Sequence, residues 1–249
     1  VVADAIRRSR AGLADPSKTR IVDLPLTGLS NGPHTVEVRG RNFAGELQNF
    51  ALYLFCGLVV WNAFSSALDG PLGAFSDAGQ LLTKVYFPPE LPALASLAGV
   101  AFQATIELGI LIVFMLIVGN ATWTMLLAPL VMLCAMGFGV GMGMAASVWN
   151  TRFRDVGYLI TLVLQLMFYA TPIVYRLDQI DADVGPFTAQ QILEVNPVTH
   201  YVGQIRYLVY EGQLPTLTSV AYGLAWAVGS VVLGWWYFSK AAPSVIEEL

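Results

Sequence analysis

Apolar residues run from Leu47 to Leu68 without a charge, bounded by Glu46 and Asp69. At 1.5 Å per residue, that run is just long enough to cross the ~30 Å hydrocarbon layer of a bilayer. Four more runs repeat the pattern, at about 91–118 with the single acid Glu107, about 123–148, about 156–175 between Asp155 and Arg176, and about 217–238 before Lys240. The uncharged stretch Leu108 to Thr151 would make a single helix of roughly 66 Å, so it must fold back, and Gly119-Asn120 is the turn signal within it. Trp226, Trp235, Trp236 and Tyr237 mark the body and interfacial end of the last run. The pattern predicts an all-α, polytopic bundle of five spans over residues 47–249.

Residues 1–46 read differently. They hold Lys and Arg at 7, 8, 10, 18, 20, 39 and 41, seven of the chain's thirteen basic residues. Arg20-Ile-Val-Asp-Leu-Pro-Leu and His34-Thr-Val-Glu-Val-Arg alternate apolar with polar residues around Ser30-Asn31-Gly32-Pro33, which predicts two short strands joined by a turn. An isolated hairpin is marginal in water. The stretch from Gly32 to Glu46 resembles the closing strands of an immunoglobulin-like or fibronectin-like sandwich, of which it supplies only a piece. The expectation is a soluble segment with a β-hairpin over 20–46.

Composition narrows the class. Of 249 residues, 56% are hydrophobic and 12% charged, about half the charge of a soluble globule, and the mean hydropathy is +0.62. This excludes disorder and a disulfide scaffold, and the net charge of −4 gives no field for nucleic acid. Cys56 and Cys134 lie inside apolar runs, where a free thiol behaves as a small hydrophobe. With two cysteines and two histidines the chain offers no zinc cluster of ordinary spacing. Lys84, Arg152, Arg154 and Lys240 fall on one side of a five-span topology and Arg176 and Arg206 on the other, so the positive-inside bias puts the first set in the cytoplasm. Residues 1–46 would then lie outside, opposite Lys240.

Several motifs occur together. Gly79-Gln-Leu-Leu-Thr-Lys-Val-Tyr-Phe-Pro-Pro-Glu is a short amphipathic stretch stopped by two prolines. Upstream stands Tyr53-Leu-Phe-Cys-Gly-Leu-Val-Val-Trp-Asn-Ala-Phe; downstream follow Asn150-Thr-Arg-Phe-Arg-Asp-Val, Phe168-Tyr-Ala-Thr-Pro-Ile-Val-Tyr and Asn196-Pro-Val-Thr-His-Tyr-Val-Gly-Gln-Ile-Arg-Tyr. In this order and spacing, residues 50–249 resemble the permease subunit of type-2 ABC exporters, in the branch that exports O-antigen, teichoic acid and related lipid-linked glycans. In that family an amphipathic helix and a first span precede the span at 47–68, and residues 1–46 supply neither. The resemblance implies a bacterial inner-membrane homodimer with a cytoplasmic ATP-binding subunit. It makes Gln80, Leu81, Leu82, Lys84, Val85 and Tyr86 the coupling helix for that subunit, with Arg152, Arg154 and Asp155 on the same face.

The chain has no Gly-x-x-x-x-Gly-Lys-Ser/Thr, so ATP and Mg are expected on the partner ATPase and no cofactor on this chain. Glu107 lies in a span with Gln103 one turn before it on the same face, and burying an acid in lipid costs ~2.5 kcal/mol or more. That face should point to a wet cavity or a polar neighbour such as Asn62 or Gln165. The expected translocation path is Trp61, Gln103, Glu107, Gln165, Phe168 and Tyr169. Gly137, Gly139, Gly141 and Gly143 form two interleaved small-xxx-small pairs, read as helix packing. Tyr175, His200, Tyr201, Tyr207 and Tyr210 would present rings at an outer mouth, as glycan contacts or as belt residues.

Gly28-Leu29-Ser30-Asn31-Gly32 fits Gly-x-Ser-x-Gly, but a nucleophile elbow needs a helix after the serine, and Pro33-His34-Thr-Val-Glu-Val predicts a strand. The expectation is therefore a non-enzymatic permease for a lipid-linked polysaccharide. The alternatives are a type-2 exporter of drugs or lipids and a non-transporting membrane fragment displaying an outer β-module.

Overall fold

The computed structural model describes residues 43–82, 91–120, 122–153, 155–175, 183–184 and 187–246, all within the compact unit that runs from Arg41 to Leu249. Helix α1 spans Phe43–Leu82 and α2 spans Leu91–Val118; a 3-10 turn at Trp123–Leu127 leads into α3, Ala128–Arg152. Helix α4 covers Val156–Ala170. A two-residue ladder follows, β1 Asp183–Val184 antiparallel to β2 Phe187–Thr188. Then come α5, Ala189–Glu194, and α6, Pro197–Ile205, which continues as a π turn, Arg206–Glu211. Helix α7, Leu217–Ile246, closes the chain. Apart from the ladder, the regular structure of the described residues is helical. The hairpin expected over 20–46 lies outside the described residues up to 42, and residues 43–46 open α1.

The elements end where the sequence tells them to. Helix α2 closes in a Schellman motif: Asn120 N donates to Met115 O at 2.9 Å and Gly119 N to Leu116 O at 3.1 Å, with Gly119 at φ 86°. The hairpin between α2 and α3 thus turns on the predicted Gly119-Asn120 pair. Pro129 stands in the first turn of α3, where its missing N–H costs nothing. Helix α1 is longer than expected. At 40 residues it rises about 60 Å, running through Gly70-Pro71 to include Gln80, Leu81 and Leu82, which the sequence pattern sets apart from the span at 47–68 as a separate amphipathic stretch. Proline is tolerated inside such helices because neighbouring groups can re-satisfy the freed carbonyl.

Contacts fix the helix directions. Phe55 meets Phe114, Asn62 meets Glu107 and Gly70 meets Ser96, so α1 and α2 are antiparallel. Phe64 stacks on Phe138 at 5.4 Å, and Gly143 lies on the Leu68 carbonyl, so α1 and α3 are parallel. Gly137 faces Ala227 and Val231, Gly141 faces Ser230 and Gly234, and Trp149 Nε1 donates to Tyr237 Oη at 2.8 Å, so α3 and α7 are parallel too. The ends of α1, α3 and α7 therefore gather at one pole, called here the Arg152 pole.

The four glycines of α3 explain the tight centre. Gly139 and Gly143 share one face and rest on the backbone of α1 at Phe64 and Leu68; Gly141, turned to the other side, rests on Ser230 of α7, with Gly234 against Gly141 itself. A Cβ at Gly139, Gly141 or Gly143 would collide with backbone. Small residues here admit close helix approach, as the two interleaved pairs predict.

Among the described residues, four helical segments are long and apolar enough to cross a membrane: Phe50–Gly73, Leu91–Val118, Trp123–Arg152 and Leu217–Ala241. Their burial divides them: 56% of the window is buried in the first and third, against 22% and 17% in the second and fourth, so α1 and α3 form the core. The stretch predicted as a span at 156–175 holds the 15-residue α4, which rises about 22 Å and stops before Pro172, since the residue preceding a proline leaves the helical region.

Candidate functional site

Opposite the Arg152 pole, α6 packs between α1, α3 and α7. Asn196 caps it, accepting from Val198 N at 3.0 Å while its amide donates to Thr171 Oγ1 at 3.0 Å. Tyr201, buried against Phe138, donates to Gly223 O at 2.6 Å. Burial pushes its phenol well above the ordinary tyrosine range, so it stays a neutral donor. Gln204 Nε2 donates to Ser219 O at 2.8 Å. The π turn is tied to the start of α3: Asn120 Nδ2 donates to Tyr210 O at 2.8 Å and Thr124 Oγ1 to Leu208 O at 2.6 Å. Gly212 ends it at φ 67°, where a Cβ would also strike Thr122 Cγ2 at 2.6 Å.

Arg206 holds this pole together. Its guanidinium donates to Pro172 O at 2.7 Å and Ile173 O at 2.8 Å, and lies 3.6 Å from the centroid of the Tyr53 ring. One buried cation thus binds the non-helical backbone after α4, the π turn and α1. Irregular backbone at membrane depth needs such partners, and a cation suits the negative C-terminal end of α4. The charge count of the sequence treats Arg206 as a loop cation. The signal was its setting, Gln204-Ile-Arg-Tyr-Leu-Val, where a cation sits among apolar residues at helical spacing.

The residues expected at an outer mouth separate. Tyr201 is fully buried with its hydroxyl engaged, so its ring is not presented at a mouth. Tyr210 is half-buried edge-on to Tyr53 at 6.0 Å. Tyr207 is exposed. His200 lies 4.5 Å from the Tyr222 ring, with ring nitrogens 3.2 Å from Ser219 Oγ and 2.8 Å from Glu194 O. Tyr175 is half-buried and donates to Tyr169 O at 3.0 Å.

Near the middle of α1 and α2, Glu107 accepts from one of the two neighbours expected across helices and from Gln103 on its own helix. Asn62 Nδ2 donates to its Oε2 at 3.3 Å and Gln103 Nε2 to its Oε1 at 3.0 Å. Asn62 and Gln103 are exposed and Glu107 is half-buried. Of the two partners considered across helices, Asn62 makes the bond, while Gln165 stands exposed on α4. Trp61 is buried beneath Phe168, with ring centroids 5.3 Å apart, so within this chain it fills core rather than lining a path. Phe168 is half-buried and Tyr169 exposed.

At the Arg152 pole, Gln80, Leu81 and Leu82 form the last turn of α1; Lys84, Val85, Tyr86 and Arg154 lie outside the described residues. Arg152 is exposed in the last turn of α3. Asp155 precedes α4 without a side-chain cap bond; Asn150 supplies the tie instead, accepting from Gly157 N at 2.9 Å. The sequence motif that holds Asn150 gives it no evident role. Its distance of seven residues from Gly157 hides the contact.

The profile of the ABC-2 type transporter family matches residues 20–210. The chain belongs to the ABC-2 type transporter family. It is 29% identical over 204 residues to the O-antigen export system permease protein RfbA of Myxococcus xanthus, covering 82% of this chain and 74% of that protein. Two proteins of the same name from Klebsiella pneumoniae are each 29% identical over 174 residues, which is 68% of this chain and 64% of theirs, just under two thirds. As an ABC-2 permease homologue with four apolar helices of spanning length among its described residues, the chain is a multi-pass inner-membrane protein.

Proposed function

We propose that this ABC-2 chain is the permease subunit that moves a lipid-linked polysaccharide out of the cytoplasmic leaflet, driven by a separate ATPase. The observation that carries the reading is its likeness, over 204 residues, to a permease named for O-antigen export. The chain performs no covalent chemistry on this reading; ATP and Mg belong to the partner, and the permease works as a homodimer. The Arg152 pole is cytoplasmic, because Arg152 and Lys240 both lie toward it and the positive-inside bias retains such residues. Arg206, which stood against that count, is buried and bound to backbone.

The fifth crossing belongs to α4. Helices α3 and α7 run parallel, so the chain must return to the far pole between Arg152 and Leu217, and α4 with its bound extension 171–175 is the segment available. The end of α1 at Gln80, Leu81 and Leu82, with Lys84, Val85 and Tyr86, forms the coupling element, beside Arg152, Arg154 and Asp155. ATP-driven closure of the ATPases shifts this element, and motion passes along α1 as a rigid body between discrete packings. Gln103, Glu107, Gln165, Phe168 and Tyr169 serve the path, and Tyr175, His200, Tyr207 and Tyr210 the outer mouth.

Docking is tested by replacing Lys84 and Val85 with acids and measuring co-purification with the ATPase. The expected result is loss of the pair or ATP hydrolysis uncoupled from export. Stable co-purification with unchanged export would contradict the coupling assignment.

A further inference from the structure

Three residues of α1 one turn apart, Tyr53, Gly57 and Trp61, share a face and meet the end of α4 in reverse order. Tyr53 Oη donates to Tyr175 O in a long bond of 3.5 Å. A Cβ at Gly57 would stand 3.4 Å from Ile173 Cα, so the backbone of α1 rests against the chain that follows α4. Trp61 lies edge-on to Phe168, with centroids 5.3 Å apart. Ile173 is fully buried in this seam. Arg206 enters the same seam from the π turn. Its guanidinium reaches Pro172 O and Ile173 O, lies over the Tyr53 ring, and comes within 3.2 Å of where a Cβ at Gly57 would be. Opening the seam would strand two carbonyls and leave a cation in an apolar setting without its partners. Moving both sides together costs neither.

We infer that Tyr53 and Arg206 form a fixed joint: through a transport cycle α1 and residues 168–175 move as one body, and the seam between them stays shut while the path opens elsewhere. This rests on the reading of the chain as an exporter in which motion passes along α1, and it names where that motion reaches α4. Tyr53 and Arg206 are positioning residues on this account, since they act through the backbone at 172–175. The two contributions differ in kind. The charge-assisted bonds of Arg206 fix the backbone of the extension. The Tyr53 ring ties that cation to α1 through its π face, so an aromatic ring is the feature the joint needs at position 53. Gly57 supplies the close approach that lets the guanidinium and Ile173 sit on the same turn of α1.

Crosslinking across the seam tests the joint. The full chain with its ATPase, carrying Cys56→Ala and Cys134→Ala, receives Gly57→Cys and Ile173→Cys. The 3.4 Å from a Cβ at 57 to Ile173 Cα suits a disulfide, whose Cβ atoms stand about 3.5–4.5 Å apart. Oxidation is expected to join the pair to the same extent in the nucleotide-free complex and in the complex arrested with ATP and vanadate. Tyr53→Leu should lower joining in the arrested complex at least about fivefold, and Tyr53→Phe, which keeps the ring, less than about twofold. Tyr53→Leu should also export at least about fivefold less glycan per ATP hydrolysed, and oxidation of the pair should restore the ratio. Joining in one nucleotide state alone, joining in neither, export lost on oxidation and regained on reduction, or an unchanged ratio in Tyr53→Leu would overturn the joint. Should the cysteine pair not accumulate, p-benzoylphenylalanine in place of Tyr53 is expected to capture residues 171–175 on irradiation in both states, and capture in one alone would overturn it. Export by the wild-type complex is measured separately: no export with the seam shut in both states removes the exporter reading alone, and export with a seam that opens removes the joint alone.

Discussion

The two polar regions of this bundle differ in where their side chains spend their hydrogen bonds. Around α6, Asn120, Thr124, Tyr201, Gln204 and Arg206 all donate to backbone carbonyls of other elements, and three of these contacts are 2.7 Å or shorter. On the α1–α2 face, Asn62 and Gln103 each donate to Glu107 near the surface. In the first region, Arg206 satisfies irregular backbone after α4, Asn120 and Thr124 bond the carbonyls of the π turn, and Tyr201 and Gln204 tie α6 to carbonyls of α7. The second ties side chains together while leaving them open to whatever passes. Buried polar groups with backbone partners build the fold; accessible polar groups bonded to each other are free to serve a substrate.

This contrast predicts graded effects. Arg206→Met should have the largest, about 4 kcal/mol of stability, since two buried carbonyls lose their donor at once; thermal unfolding in detergent measures it, and Arg206→Lys should recover part by keeping one donor direction. Gly212→Ala should cost about 2 kcal/mol, because its positive φ and its contact with Thr122 both oppose a Cβ. Tyr201→Phe, which removes only the bond to Gly223 O, should cost about 1 kcal/mol. Glu107→Gln should change stability by no more than about 0.5 kcal/mol while lowering glycan export. A melting curve for Glu107→Gln shifted as far as that of Arg206→Met would erase the distinction between the two regions.

Four of the five expected spans, the Gly119-Asn120 turn, the glycine packing of α3 and the need of Glu107 for a polar neighbour, with Asn62 one of two named, are legible in the sequence because each depends on local spacing or on one strong chemical signal. The extent of α1 is not. Asp69-Gly70-Pro71 reads as a break, whereas in the structure the helix runs through it with Gly70 packed against Ser96 and with Pro71 and Leu72 buried, contacts no local pattern records. Tyr201 and Arg206 misled for a related reason. A tyrosine and an arginine near a membrane surface usually face water, and no pattern along the chain records that residues 171–173 fold back to supply carbonyls for Arg206. Trp61 likewise looks like a path residue until Phe168, over a hundred positions away, is seen to cover it.

The central claim is that this chain moves a lipid-linked polysaccharide by using ATP hydrolysed elsewhere. Its most direct test is reconstitution of the chain with its ATPase in proteoliposomes loaded with a lipid-linked O-polysaccharide on the ATPase side, followed by antibody detection of the glycan on the opposite face. Glycan should appear there only when ATP, the ATPase and the permease are all present. ATP-dependent turnover in an intact complex with no glycan crossing would contradict the account.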